Sequence, residues 1–529
     1  MLVDESVPKA EYEKLFAEHE KVVGECEQYR DLYVKMLAQC RKLELGIMQK
    51  RERLSPVEAQ LTMALLATLL GEGAQADAET EPALDQVSEH TRRRPTGRKP
   101  LPENLPRVDV EVLPLEVQQK GLDAFERIGE EVTETVEQRP ASIVVVRMHK
   151  PKFVAKDRDK SSATEVFVAQ PPELPIARGL AGPGLLANTL VRRFQDHLPL
   201  YRLENIYARE GLELARSTIC TWHGELAELC RPLYLAMWQD AFLSPYLCTD
   251  ATGVLVQAKE KCRKGHFWVV VAPERHVLFA FSPKHNSKAV DQILAGYKGY
   301  LVADAHAVYE HLYKSGEIVE VGCWAHTRRY FFKALESDPD RARKALALIG
   351  ALFRVERPLA NAPPGKRRAV RARESRPILE RFFAWCDAEA AHVLDETPIS
   401  SGIGYARNQR QALMRFLDDE RLPIHNNISE NALRREAIGR KNWLFLGSNE
   451  AGSVNSIFVS LLASCQLHEI EPLGYLRDLF CLIKTWPADR MLELAPANWN
   501  KTLEQPYAQQ RLAANMYRRV SLDQHHAIK

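Results

Sequence analysis

YLCTDATGVLVQ (246–257), HFWVVVA (266–272), HVLFAF (276–281), SKAVDQILA (287–295) and YLVA (300–303) follow one another in this 529-residue chain. The first three are rich in β-branched and aromatic residues, which suits strands buried in a sheet. Pro273-Glu274-Arg275 separates the second from the third as a tight turn. SKAVDQILA reads as a short helix, and YLVA as a returning strand that ends at Asp304. Three strands, a helix and a fourth strand are therefore predicted. Asp250 lies on the first strand and Asp304 just past the fourth.

That order opens the ribonuclease-H-like α/β fold, in which the first and fourth strands lie side by side. Both carboxylates then converge at one edge of the sheet. A third carboxylate is expected from a later helix, and IHNNISENALRREAIG (424–439) offers Glu430, with Leu433 and Ala437 on the same face and Gly439 as the stop. Between Asp304 and Glu430 lie 126 positions (430 − 304), so a helical insertion at about 335–420 is predicted. The chemistry that uses such a trio is in-line attack of water or a 3′-hydroxyl on a phosphodiester. Two Mg²⁺ or Mn²⁺ ions about 4 Å apart stabilise the attacking and leaving oxygens there, and hard cations take carboxylate ligands. A structural reading stands beside this one. With 70 acidic residues an Asp…Asp…Glu order is certain to occur somewhere. Asn427-x-x-Glu430 also resembles a capping box, and Asp250 and Asp304 could simply end strands.

Towards the N-terminus, Leu15, Val22, Tyr29, Met36 and Leu43 recur every seven residues, with His19, Cys26, Tyr33, Cys40 and Ile47 four further on. Two such seams predict a coiled coil within 1–70, hence at least a dimer, or else a helix packed on its own chain. Residues 71–90 carry six acids and 91–100 five basic residues, an acidic-then-basic linker over 71–100. Residues 101–165 are strand-like, with ASIVVVRM (141–148) the clearest run. Within 166–240, YRLENIYARE (201–210), Gly211 and LELARSTICTWHGEL (212–226) have helix-turn-helix spacing, which a plain helical hairpin shares.

Length argues for three or more domains. A hydrophobic content of 45%, a charged content of 27% and a net charge of +2 are ordinary for a globular chain. The ten cysteines include no CxxC pair, against a zinc ribbon or a thioredoxin-like motif. Scattered thiols suit a reducing cytoplasm. The longest apolar run, LTMALLATLL (61–70), is about half a membrane span. A soluble, intracellular protein with no membrane partner is expected.

Five motifs occur in order: Asp250-Ala251-Thr252; Gly299 to Asp304 (GYLVAD); Cys323 to Arg329 (CWAHTRR); Asn426 to Arg434 (NNISENALR); and Gly439 to Phe445 (GRKNWLF). Together they resemble the bacterial insertion-sequence transposases of the IS66 family, over about residues 10–500. The resemblance implies a DDE-type enzyme that cleaves and joins DNA strands with metal bound to Asp250, Asp304 and Glu430. It implies double-stranded DNA (terminal repeats and target) as partner, a homo-oligomer, small accessory proteins of the same element, and a cytoplasmic, nucleoid-associated protein. It places a helical DNA-binding region at 166–240, the catalytic domain at 241–440, a C-terminal helical module at 441–500 and a disordered tail at 501–529. Relatives carry a four-cysteine zinc site matching 112–160. Here VQQKGLDAF (117–125) and KFVAKDRD (152–159) hold no cysteine, so 101–165 reads as a degenerate zinc-finger-like region and no zinc is expected. His425 stands where relatives usually have Asp. His326, Arg328, Arg329, Arg434, Arg440, Lys441 and Trp443 are candidate DNA contacts. A catalytically inactive DNA-binding relative and a nuclease without a joining step are the alternatives.

Overall fold

Alternation with period two governs the first sheet. It contains β1 (Arg107–Glu111), β2 (Phe125–Arg139), β3 (Ser142–Ala155) and β4 (Phe167–Val168), ordered β1-β3-β2 with β4 also paired to β3. The computed structural model describes residues 101–522 apart from 102, 104, 140–141, 157–165, 171–172, 178, 361 and 364. The heptads of 15–47 and the linker of 71–100 thus lie outside the described residues. β1 runs parallel to β3, and β2 antiparallel to it. Val108, Val110, Val144 and Val146 point to one side, where Val520 closes a core with them.

Val520 corrects an expectation. Residues after Trp499 are not a disordered tail: helices Trp499–Glu504, Pro506–Ala514 and Met516–Ser521 follow one another, and only 523–529 lie outside the described residues. Trp499, Leu512, Tyr517 and Val520 are each buried, so this segment contributes apolar area to the core.

A carboxylate is buried beside the same sheet. Glu137 on β2 is fully buried, and its Oε1 accepts from the amides of Gln138 (2.7 Å) and Leu185 (2.8 Å). Burial pushes its carboxyl up from an ordinary 4.5 to about 8. The folded state therefore holds a proton that the unfolded chain releases near 4.5. The associated stability is complete below that pH and is lost as pH rises towards about 8. Glu137→Gln keeps an acceptor oxygen and removes the titration. We expect its melting temperature to be flat between pH 5 and pH 8.5, while the wild type falls by several degrees. Parallel pH profiles in the two proteins would refute this.

The second sheet contains β5 (Tyr246–Val256), β6 (Arg263–Ala272), β7 (His276–Ser282), β8 (Gly299–Val302), β9 (Ile318–Val321) and β10 (Phe445–Leu446). Its order is β7-β6-β5-β8-β9, and β10 also pairs with β5. β5, β6 and β7 are antiparallel, whereas β8, β9 and β10 join in parallel. The predicted strands match within a few residues, and Glu274 turns the β6–β7 hairpin at φ 63°. The predicted short helix spans Ser287–Ile293, capped by Asn286, whose side chain accepts from the Ala289 amide. β7 is an edge strand, and helix Asn449–Leu467 covers it. Ser460 Oγ accepts from the Phe279 amide (2.7 Å) and Ser464 Oγ from that of Val277 (3.1 Å). Serines four apart share a helix face, so they satisfy backbone groups that a further strand would otherwise take.

The expected helix–turn–helix segment forms Leu200–Arg209, a turn at Gly211 (φ 88°) and helix Arg216–Ala241, with Trp222 buried. The second helix starts four residues later than LELARSTIC suggests and runs 26 residues. The chain divides into two compact units. The larger takes in 98–327, 350–380 and 409–529 and contains both sheets; the described part of the smaller is 328–349 and 381–408. In the smaller unit Phe331 meets Phe382 and Trp385, and Arg341 pairs with Glu389 at 2.7 Å. Among the described residues no helix is long and apolar enough to cross a membrane.

Candidate active site

β5 has different partners along one edge. β8 pairs with Tyr246, Leu247 and Cys248, and β10 with Leu255 and Val256. Among the described residues no strand pairs on that edge with the residues between, where Asp250 sits. The vacated backbone still needs partners, and side chains supply them. Asn426 Nδ2 donates to the Thr249 carbonyl (2.8 Å), while Arg440 donates to the Gly253 carbonyl and to Thr252 Oγ1 (2.8 Å). Both come from the segment that carries Glu430, so the same contacts that close the sheet set the glutamate against β5.

Helix Asn427–Trp443 has Glu430 in its first turn. The capping-box reading does not apply: Asn426 is the N-cap but makes no side-chain cap, having turned its amide to Thr249. The Asn426 amide N–H donates to Cys323 Sγ (3.2 Å), and the Trp324 amide to the Ile424 carbonyl (3.0 Å). These bonds bring His326 alongside, its Nε2 lying 3.5 Å from Glu430 Oε1. Asp250, Ala251, Thr252, Glu430, Leu433, Arg434 and Ala437 line one cleft. Glu430 keeps 30% of its side chain exposed, so its charge is hydrated rather than buried.

Asp304 follows β8. The β5–β8 pairing ends at Cys248–Val302, two residues before Asp250 on one strand and Asp304 on the other, and Asp304 is not among the residues that line the Asp250–Glu430 cleft. Tyr309, almost fully buried, senses both acids. Burial raises its phenol strongly, and the Asp304 and then the Asp250 carboxylate push it the same way. A ring stack adjoins Asp304, unforeseen in the sequence. Trp268 stacks on His285 (4.8 Å, 9°), which meets His266 and His306, each at 4.8 Å. Burial, the His306 ring and Lys264 lower the His285 imidazole, against the opposing pull of Asp304. A histidine two residues after the acid was the one available signal.

The other anticipated contacts fall into distinct settings. Arg434 is exposed at the cleft, and Lys441 is exposed beyond it. Arg440 is tied to β5, and the Trp443 ring lies under the Arg193 guanidinium at 5.4 Å and packs on the Val254–Phe267 core. Arg328 and Arg329 belong to the smaller unit and are exposed. His425 stacks on Phe353 with centroids 6.0 Å apart. Gly439 does not stop the helix, which runs on to Trp443 and ends at Leu444 (φ 66°). A Cβ at Gly439 would lie 2.7 Å from Trp443 Nε1, so glycine here serves close packing.

Oxygen donors are the right type for a hard divalent ion. No group of three His, Cys, Asp or Glu side chains among the described residues is gathered closely enough to hold one. The arrangement fits an ion bound through one or two carboxylates and completed by water and phosphate oxygens, which Mg²⁺ accepts. It does not fit a closed protein cage.

Comparison with known proteins adds the following. The profile described as "Transposase IS66 family" matches residues 178–454, and one described as "Transposase C of IS166 homeodomain" matches 49–110. Three uncharacterized proteins of Sinorhizobium fredii (strain NBRC 101917 / NGR234) are similar along most of their length. y4hP is 30% identical over 497 residues, covering 87% of this chain and 89% of the relative. y4qI is 29% identical over 482 residues (87% of each), and y4jD 25% over 422 (75% and 81%).

Proposed function

The chain belongs to the IS66 family of transposases, and from that premise we propose that it cleaves DNA at element ends and joins the freed strand to target DNA, using Asp250, Asp304 and Glu430. The observation that carries this reading is the cleft shared by Asp250 and Glu430, with Asp304 two residues past the end of the β5–β8 pairing. The strand order, antiparallel through β5–β7 and parallel through β8 and β9, supports a ribonuclease-H-like core.

Asp250 and Glu430 in the cleft would hold Mg²⁺ or Mn²⁺, with Asp304 as the third carboxylate of the DDE pattern and two ions in all. When bound, the metal stabilises charge on the attacking and leaving oxygens of the phosphodiester. The remaining tasks fall to the chain. Arg434 offers a guanidinium to a phosphate entering the cleft. His326, within reach of Glu430, holds that carboxylate in place. Asn426 fixes the distance between the glutamate helix and β5. Oligomerisation through the heptads of 15–47 would bring two element ends together, with helices of 166–240 contributing to DNA binding.

The test is incubation of purified protein with Mg²⁺ and duplex DNA carrying the element's own ends. Nicking at the ends followed by joining is expected. Nicking without joining assigns a nuclease, and binding without nicking an inactive relative. Asn426→Ala leaves the buried Thr249 carbonyl unmet, at about 1–3 kcal/mol. We expect it to lower the melting temperature by a few degrees and the cleavage rate by more than tenfold, with binding of end DNA retained. A wild-type cleavage rate in this variant would remove Asn426 from the positioning role.

A further inference from the structure

Residues 350–380 hold eight cations and three acids, a net +5, in a chain whose total is +2. This is a helical hairpin clasped from within. The Arg371 side chain, 2% exposed, forks onto both Glu356 oxygens at 2.8 Å. Arg367 donates to the carbonyls of Leu359 (2.8 Å), Ala360 (3.0 Å) and Glu420 (2.9 Å). Two arginines are thus spent on holding the limbs together.

The remaining cations face water. Arg354, Arg357, Lys366, Arg368 and Arg376 are all exposed, and none has an ion-pair or hydrogen-bond partner among the described residues. Several other surface arginines here are paired. Arg127 pairs with Glu130, Arg231 with Glu228, Arg407 with Asp387, Arg421 with Asp419 and Arg490 with Glu493. Because residue 371 is fastened to residue 356, cations of both limbs are brought onto one hairpin. From 366 to 376 the helix advances roughly 15 Å, a length over which duplex DNA presents several phosphates.

We propose that this hairpin is a phosphate-backbone binding surface for duplex DNA, separate from the Asp250–Glu430 cleft. Four of its five unpaired cations are arginines, whose planar guanidinium matches phosphate geometry. Contacts of this kind fix the position of DNA without reading its sequence. The proposal rests on the transposase reading and gives it a second, sequence-independent handle on DNA.

The experiment measures affinity of the full chain for a labelled 30-base-pair duplex of arbitrary sequence across a salt series. Two variants accompany the wild type. One changes Arg354, Arg357, Lys366, Arg368 and Arg376 to Gln. The control changes the paired Arg127, Arg231, Arg407, Arg421 and Arg490 to Gln, with the same change in net charge. Each lost phosphate contact should make the slope of log K against log[salt] shallower by about 0.9. The hairpin variant should therefore lose roughly 4.5 from its slope and bind at least tenfold more weakly at about 0.1 M salt, while the control keeps the wild-type slope. If the hairpin variant melts early, the Arg354→Gln/Arg376→Gln pair is measured in its place, with an expected loss of about 2. An unchanged slope in the hairpin variant, or an equal loss in the control, overturns the proposal. A wild type that nicks element ends but shows no salt-dependent binding of the arbitrary duplex overturns the surface alone. A wild type that binds neither DNA overturns the transposase reading with it.

Discussion

Glu430→Gln and Asp250→Asn are each expected to slow Mg²⁺-dependent cleavage of end DNA by roughly three orders of magnitude, about 4 kcal/mol of transition-state stabilisation. The amide is close to isosteric with the carboxylate but neutral, and so a poor ligand for a hard cation. Neither change should disturb the fold. Glu430 is partly hydrated, and Asn426 and Arg440 fasten the segment that carries it to β5. Binding of end DNA should stay within about threefold of wild type, since the lost interaction is made chiefly in the transition state. Asp304→Asn should behave alike, as the third carboxylate of the DDE pattern, whose charge acts on Tyr309 together with that of Asp250. Gel-shift affinity and single-turnover cleavage measured on the same preparations separate the two effects. Robust cutting by any one variant removes that residue from the site.

The largest expected loss of stability is at Arg371→Met. Its guanidinium makes two bonds to Glu356 and donates to the carbonyls of Phe416 (2.6 Å) and Leu422 (2.9 Å). Methionine fills comparable volume but leaves the Glu356 carboxylate, 12% exposed, without its counter-charge. Breaking one side of a buried pair typically costs about 3–5 kcal/mol. A fall in melting temperature on the order of 5–10 °C should follow. Adding Glu356→Leu removes the stranded charge, and the double variant should recover part of the loss. The carbonyls involved lie just ahead of Ile424 and Asn426, so the single variant should also slow cleavage by loosening the approach of Glu430 to β5. A single variant melting within about 1 °C of wild type would show that the carbonyls and Glu356 find other partners.

The strands around Asp250 and Asp304 were legible because what makes them strands is local: runs of valine, phenylalanine and tryptophan, bounded by Pro273-Glu274-Arg275 and by Ser287. From their order came the parallel pairing of β5, which carries Asp250, with β8, which leads into Asp304, since a crossover through a helix returns in parallel beside the first strand. Glu430 could be singled out among 70 acids only through the motif around it. Other features depended on partners far away in the chain. Gly439 looked like a helix stop, but the helix continues to Trp443, and the glycine instead leaves room for the Trp443 and His197 rings. The segment after Trp499 runs past the usual end of the family and looked like a disordered tail, yet it folds because Val520 completes a core with β1 and β3, about four hundred residues upstream. Asn427 looked like a cap, but it is the first residue of the helix, and its neighbour Asn426 became a strut across the gap between β8 and β10. Local composition decides which segments become strands or helices. Which backbone groups lack a partner, and which distant side chain meets them, is decided only when the sheet is assembled.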